Sequence, residues 1–162
     1  MNEYKIEKWI WSEADFDCMG WHDCSIHAVA FSAETFELLF DIDYIFTWSV
    51  AEPNGDQPNI WISPVTLVFE NINETKFDIE SWGGLEISSI RRGHERKPSN
   101  AKYINREIEW LWEIECREGS IEMRSVGYKQ YVRSQPQLSQ SLKIDISARG
   151  GYSFMKGRTD LI

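Results

Sequence analysis

The chain has 162 residues, and its 17 Lys and Arg against 26 Asp and Glu give a formal net charge of −9. Such an acidic protein is a poor candidate for binding nucleic acids or anionic membranes, because Lys and Arg provide the attraction to negative charge. The length fits a single domain over residues 1–162, which buries about 68–70% of the surface of the unfolded chain. Eight Trp, eight Phe and six Tyr favour a β-rich core.

The sequence also bears on location and cofactors. The N-terminal residues lack the apolar region of a secretory signal, and no window approaches the about 18 apolar residues of a membrane span. Three cysteines without a C-x-x-C pair indicate reduced thiols, so we expect a cytoplasmic protein. Cys18, His22 and Cys24 do not have the spacing of common zinc sites, so we predict neither a metal nor another cofactor.

A short helix is predicted near the N-terminus. Ser12 can cap the first free N–H groups, and Glu13 and Asp15 in the first turn suit the helix dipole. Gly20 is well placed to end the helix. We therefore predict one helix over residues 12–19, with Phe16 and Met19 facing inward.

The strongest strand signal covers residues 36–48. Its even positions carry apolar, mostly aromatic side chains, and its odd positions are mostly acidic, including Asp41 and Asp43. Side chains alternate across a strand, so this pattern predicts an aromatic core face and an acidic face toward water or a partner. The segment 108–116 repeats the design, with Glu107, Glu109, Glu113 and Glu115 on one face.

Further strands follow from the same reasoning. We predict them at residues 25–32, 59–70, 76–80, 85–90, 120–132 and 142–147. Pro64 lacks an N–H, so it predicts an edge or a bulge, and Gly127 indicates a bulge. Residues 51–58 are predicted to form a loop, and the basic residues 91–102 a mobile loop.

These elements predict a mainly β fold. Six to eight antiparallel strands with hairpin-length connections, and one short N-terminal helix, are typical of a barrel or a sandwich. Either arrangement is consistent with the sequence.

The densest group of chemistry-bearing residues comprises Trp21, His22 and Asp23, with Asp41 and Asp43 on what we expect to be the neighbouring strand. Carboxylates beside an imidazole can act in general acid/base catalysis, bind a cation or contact a partner. The simpler interpretation is that His22 and Asp23 form a turn and that Asp41 and Asp43 face solvent. We take these five residues as candidate binding residues and predict no catalytic residue.

Two basic features permit anion binding. The segment 91–97 contains four basic residues, Arg91, Arg92, Arg96 and Lys97. Separately, the backbone of Arg149-Gly150-Gly151 can form a nest of N–H groups. A solvated loop and a turn are the simpler interpretations.

No nucleophile elbow, phosphate-binding loop, dinucleotide fingerprint or H-E-x-x-H motif occurs in the sequence. These absences favour a binding protein over an enzyme, although they leave an enzyme open.

Residues 21–31, 41–48 and 64–71 together resemble a family of small bacterial proteins to which no function is assigned. Along the chain, an aromatic residue followed by His-Asp comes first, then two strands, then the motif Leu-x-Phe-x-Asn. This order is similar, more distantly, to that of the immunity protein 50 family of polymorphic toxin systems. The likeness covers mainly residues 16–80. It implies a cytoplasmic protein that neutralises a toxin by binding it, and it assigns no role to individual residues.

The sequence thus leads to two expectations. The first is a non-enzymatic, immunity-like binding protein whose acidic strand faces contact a protein partner with a basic surface. The alternative is a small-molecule-binding β-barrel, with or without enzymatic activity, that uses the aromatic interior with His22 and Asp23. The sequence leaves the oligomeric state undetermined.

Overall fold

The computed structural model describes residues 3–48 and 59–161, so the predicted loop at 51–58 lies outside the described residues. The described residues form ten strands, which is more than the six to eight predicted. The strands are β1 (Ile10–Ser12), β2 (Ser25–Ser32), β3 (Glu37–Trp48), β4 (Ile60–Glu70), β5 (Asn73–Ile79), β6 (Leu85–Arg96), β7 (Glu109–Cys116), β8 (Gly119–Ser125), β9 (Gly127–Val132) and β10 (Gln137–Ser139). The mainly β prediction is confirmed.

All the strand pairs are antiparallel, and the strands lie in the order β1-β9-β4-β3-β2-β6-β7-β8-β5, with β10 also on β4. The path is open, with β1 and β5 at its ends. Only Ser25 and Ile26 of β2 pair with β6, opposite Glu86 and Leu85. The sheet therefore consists of two parts joined by a short ladder, and the rest of β2 does not pair with β6.

A corner joins the two parts where β8 runs into β9. Only Val126 separates these strands, and its N–H donates to Glu70 O, where β4 ends. Gly127 follows with φ +154°, and a Cβ atom there would lie 2.4 Å from the carboxyl carbon of Glu13. The predicted bulge at Gly127 is thus a corner between two strands, and the position favours glycine because its φ is positive and a Cβ atom would displace the Glu13 carboxylate.

The core contains side chains from both parts of the sheet. Trp112 of β7 is fully buried and meets Phe69 of β4 and Tyr128 of β9 with ring centroids 5.4 and 5.6 Å apart. On β3 the predicted core face is confirmed at Phe40 and Ile42, both fully buried. Aromatic contacts of this kind add to the stabilisation from area burial.

The N-terminal helix prediction is confirmed in position and differs in type. Residues Glu13–Cys18 form a 3₁₀ helix capped by Ser12, whose side chain accepts from Ala14 N–H while the Asp15 carboxylate accepts from Ser12 N–H. Phe16 and Met19 pack against the core as expected.

The predicted mobile loop at 91–102 is wrong. Residues 91–96 belong to β6, where Arg91 stands opposite Glu113 and Arg96 opposite Glu109 of β7. Opposite charges on paired strands stabilise this continuation of the sheet. Ala101–Ile104 then forms a short helix, α1.

Two other strand predictions need correction. Pro64 lies within β4, opposite Asp43 of β3, and not at a bulge of that ladder. On its other side the β10 ladder ends at Ile62 and the β9 ladder begins at Val65, so Pro64 lies in the gap between them, where neither ladder needs its N–H. The predicted strand at 142–147 is irregular chain, and the last strand is β10.

Candidate functional site

A buried ion cluster lies on the outer face of β3, where sequence reasoning placed a solvent-facing acidic surface. Asp41 and Asp43 are both fully buried, so that expectation is wrong. Arg149 Nη1 and Nη2 donate to the two oxygens of Asp41 at 2.7 Å, and Arg149 Nε donates to Asp43 Oδ1 at 3.0 Å. Arg133 Nη2 donates to Asp41 Oδ1 at 2.7 Å. These four residues form the interior charge cluster.

His27 joins the interior charge cluster through a bulge in β2. The register against β3 shifts between Ile26 and Ala28, which turns the His27 side chain toward Asp43. His27 Nε2 lies 2.6 Å from Asp43 Oδ2, and the imidazole side chain is 12% exposed. The structure therefore brings His27, and not His22, to the two carboxylates.

The C-terminal segment, residues 133–161, covers the carboxylates because its backbone also binds them. Ile144 N–H donates to Asp43 at 2.8 Å, and Ser153 N–H donates to Asp41 at 2.9 Å. Ile144 would belong to the predicted strand 142–147, but its N–H binds a carboxylate instead of a neighbouring strand. The acidic face of β3 thus anchors the end of the chain.

Opposing effects set the pKa of Asp41. Burial raises the pKa, but hydrogen bonds from Arg149 and Ser153 N–H and the charge of Arg133 outweigh burial and hold the pKa below its ordinary value. The carboxylate is therefore ionised in the folded chain. Within the cluster, two carboxylates face two guanidinium groups.

A cleft of about 450 Å³ adjoins the interior charge cluster and is lined in part by Arg133, Arg149, Ser134 and Tyr152. Most donors of the two guanidinium groups are engaged by acceptors of the chain itself. Arg133 Nη1 donates to Val65 O, Thr66 Oγ1 and Ser153 O, and Arg149 Nη1 also donates to Gly151 O. The arginines are therefore engaged within the chain, and the cluster holds the C-terminal segment against β3.

The other three candidate residues do not converge on the interior charge cluster. Trp21 is 2% exposed and belongs to the core, where its Nε1–H donates to Gln130 Oε1 at 2.9 Å. The His22 side chain is 75% exposed, and its Nδ1 lies 3.0 Å from Asp23 Oδ2. Asp23 has φ 67°, and its N–H donates to Ile87 O. His22 and Asp23 form a turn at the surface, in agreement with the simpler interpretation.

The acidic face of β7 is also neutralised by the chain itself. Glu109 is 1% exposed, and its carboxylate accepts from Arg96 Nε at 3.3 Å. Glu113 pairs with Arg91. Of the four basic residues singled out as an anion site, Arg91 and Arg96 thus pair with carboxylates of the neighbouring strand. Lys97 pairs with Glu107, and the Arg92 guanidinium lies over the rings of Phe16 and Trp110.

Large aromatic side chains are exposed on the strip where the free edges of β2 and β5 face each other. Phe31 of β2 is 61% exposed and Phe77 of β5 is 41% exposed, and their ring centroids lie 5.8 Å apart. Trp82, just beyond β5, is fully exposed. Its turn is ordered, because Gly83 and Gly84 N–H both donate to Ser81 Oγ.

Acidic residues lie on β5, just after it and in the turn that follows β2. Glu34, Asp78 and Glu80 are exposed, and within residues 3–48 and 59–161 none of their carboxylates forms an ion pair. We name this strip the β2–β5 seam; it comprises Phe31, Glu34, Phe77, Asp78, Glu80 and Trp82. Large aromatic residues and unpaired charges at an ordered surface are typical of a protein-binding site.

A second concave site lies where the β2–β3 turn meets the start of β5. This cleft of about 670 Å³ is lined in part by Asn71, Asn73, Asn100, Ser99 and Phe36. Asn71 and Asn100 hydrogen-bond to each other through both amides, at 3.2 and 2.9 Å. Phe36 and Asn71 both have positive φ, and strained backbone of this kind is frequent at ligand sites.

Sequence reasoning missed Arg133 and the role of His27, and it treated Arg149 as part of a backbone nest. No local pattern marks Arg133, which reaches Asp41 across 92 positions of the chain. The available signal was the pair of acids on a strand otherwise suited to burial, since a buried carboxylate requires a cationic partner.

Two further findings concern the described part of the chain. No group of three or more His, Cys, Asp or Glu side chains among the described residues is arranged to hold a metal ion. None of the helices formed by these residues is long and apolar enough to cross a membrane.

Comparison of the chain with protein-family models, with curated proteins and with solved structures gives no match. The likeness to the immunity protein 50 family therefore stays a prediction.

Proposed function

We propose that the chain is a non-enzymatic cytoplasmic binding protein, of the kind found among immunity proteins, and that it binds a protein partner with a basic surface. The observation that carries this proposal is the β2–β5 seam, where Phe31, Phe77 and Trp82 are exposed beside acids without an internal partner. Buried aromatic residues contribute most of the affinity in many interfaces, and the surrounding charges steer the encounter.

The proposal moves the docking surface away from the acidic strand faces expected from the sequence. Asp41 and Asp43 are buried, and Glu109 and Glu113 pair with arginines of β6. The acids of the β2–β5 seam are exposed, so they remain accessible to a cationic partner.

We also infer that the open sheet folds as a sandwich with corners. The contact between Phe69 of β4 and Trp112 of β7 supports this arrangement, because these residues lie in different parts of the sheet. Strands that pass from one layer to the other at a bend, as β8 and β9 do at Val126, are typical of orthogonally packed sheets.

Co-expression with the products of neighbouring genes tests the proposal. We expect one product with a basic surface to co-purify with the chain and to bind it in calorimetry with an affinity that falls as salt rises. Phe31→Ser combined with Phe77→Ser should weaken this binding, whereas Tyr103→Ser, at an exposed tyrosine on α1, should not. A chain that binds none of these products, or binds them equally well after the seam substitutions, would contradict the proposal.

The cleft at Asn71 and Asn100 favours a second candidate function, the binding of a small neutral polar ligand. Its amides retain donors and acceptors, while the aromatic interior proposed for this function is filled by ring contacts among Trp21, Trp112 and Tyr128. A thermal-shift screen of neutral sugars and nucleosides, repeated with Asn100→Ala, separates the two functions. A stabilising ligand lost in the variant would support this candidate, and a screen without any stabilising ligand would reject it.

A further inference from the structure

We infer that the free edge of β5 binds a basic, extended segment of the partner, which adds to the sheet as an antiparallel strand. This inference rests on the proposed function for its location. It adds the mode of binding and the chemistry of the bound segment.

The free edge is the first argument. Within the described residues β5 pairs only with β8, so one side of Asn73–Ile79 has no strand hydrogen-bonded to it. A bulge between Asn73 and Lys76 leaves Lys76–Ile79 as the regular part of that edge. Beyond Ile26, β2 likewise pairs only with β3. Unpaired N–H and C=O groups on an edge strand are a template for another strand.

The side chains beside this edge determine which residues fit. Phe31 and Phe77 leave a partly exposed ring pair next to β5, which apolar side chains on one face of an added strand would cover. Asp78 lies on β5, and Glu80 follows the strand; both are exposed. A segment in which apolar residues alternate with Lys or Arg matches both features, because side chains alternate across a strand.

A second copy of this chain is the other occupant of such an edge. Antiparallel pairing of two β5 edges centred at Ile79 would place Asp78 of one copy opposite Glu80 of the other, and like charges on paired strands are destabilising. Pairing centred at Phe77 would instead place Lys76 opposite Asp78. The effect of charge on self-association therefore depends on the register, and sedimentation of the unliganded chain tests for it.

The test uses a capped seven-residue peptide of alternating Lys and Val, with a Glu-Val peptide and a peptide carrying a central Pro as controls. We expect the Lys-Val peptide to slow amide hydrogen exchange in β5 and in residues 27–32, as measured by NMR. The Glu-Val peptide should not bind, and the Pro peptide should bind more weakly because it lacks one N–H.

Matched variants of the whole chain complete the test. Asp78→Lys with Glu80→Lys should weaken binding of the Lys-Val peptide by about tenfold or more, whereas Asp17→Lys, at an exposed acid in the 3₁₀ helix, should change it far less. Circular dichroism establishes that each variant is folded.

Three outcomes would overturn the inference: absence of Lys-Val binding, protection confined to amides outside β2 and β5, or dimerisation of the unliganded chain through β5 in sedimentation. If a neighbouring gene product binds at the β2–β5 seam without protecting the β5 amides, strand addition is wrong and the proposed function stands. If no product binds while the peptide does, the proposed function is wrong.

Discussion

The Arg133 guanidinium donates to the Asp41 carboxylate at 2.7 Å, and these side chains are only 1% and 0% exposed. The pair joins the C-terminal segment to the middle of β3, and Arg149 makes a second connection of the same kind. Buried ion pairs of this type gain little over a packed apolar alternative, but breaking one leaves a charge without a partner. The cluster therefore fixes the position of the C-terminal segment.

The first prediction concerns removal of the Asp41 charge. Asp41→Asn should lower the free energy of unfolding by about 3–5 kcal/mol, because Arg133 and Arg149 stay buried and lose a carboxylate. Urea denaturation followed by tryptophan fluorescence measures the change. Asp17→Asn, at an exposed acid, should stay within about 0.5 kcal/mol of the wild type. Equal stability of the two variants would show that the interior charge cluster does not stabilise the fold.

The second prediction concerns the geometry of Arg149. Arg149→Lys keeps the charge but cannot bridge Asp41 and Asp43 together, because an ammonium lacks the planar fork of donors. We expect the amides of Ile144 and Ser153 to exchange faster in this variant, as measured by mass spectrometry, since both donate to these carboxylates. Arg158→Lys, at a partly exposed pair with Asp160, is the matched control and should leave both amides protected.

The third prediction concerns the stability of the fold at low pH. The pKa of Asp41 is lower in the folded chain than its ordinary value of about 3.9. A depressed folded-state pKa gives stability that is complete above the unfolded value and is lost as pH falls through the folded value. The free energy of unfolding should therefore fall below about pH 5. The fall should be shallower in Asp41→Asn, and parallel curves for the two proteins would show that Asp41 does not contribute.

The fourth prediction concerns the three cysteines, which the sequence indicates to be reduced thiols. Burial raises the pKa of Cys24 to about 12 and that of Cys116 to about 11, whereas Cys18 is exposed. A thiol reagent at pH 8 should label Cys18 alone in the folded chain, because the thiolate is the reactive form. Mass spectrometry of the labelled protein checks this, with urea-unfolded chain as the control that labels all three. Rapid labelling of Cys24 in the folded chain would contradict its burial.

Local alternation explains why so many strands could be predicted from the sequence. β2 matches its predicted bounds, and the start of β3 differs by one residue from the prediction. Along β3, apolar and mostly acidic side chains alternate, which marks a strand. The same rule fails for residues 91–96, where the stabilising charges lie on β7 and a local pattern cannot show them.

The burial of Asp41 and Asp43 could not be predicted from alternation along the strand. Alternation places them correctly on the face of β3 opposite Phe40 and Ile42, but it cannot show what covers that face. The cover comes from residues about one hundred positions away, whose turns have no periodic pattern. Alternation along a strand predicts on which face of the sheet a side chain lies. It does not predict whether that face is exposed to solvent, because exposure depends on contacts distant in sequence.

The central claim is that the β2–β5 seam binds the partner and that His22 and Asp23 do not. Hydrogen exchange of the chain with and without a co-purified neighbouring gene product tests this claim most directly. We predict protection of the amides of β2, β5 and residues 80–84, with residues 21–23 unchanged. Protection confined to residues 21–23, or to any surface away from β2 and β5, would contradict the claim.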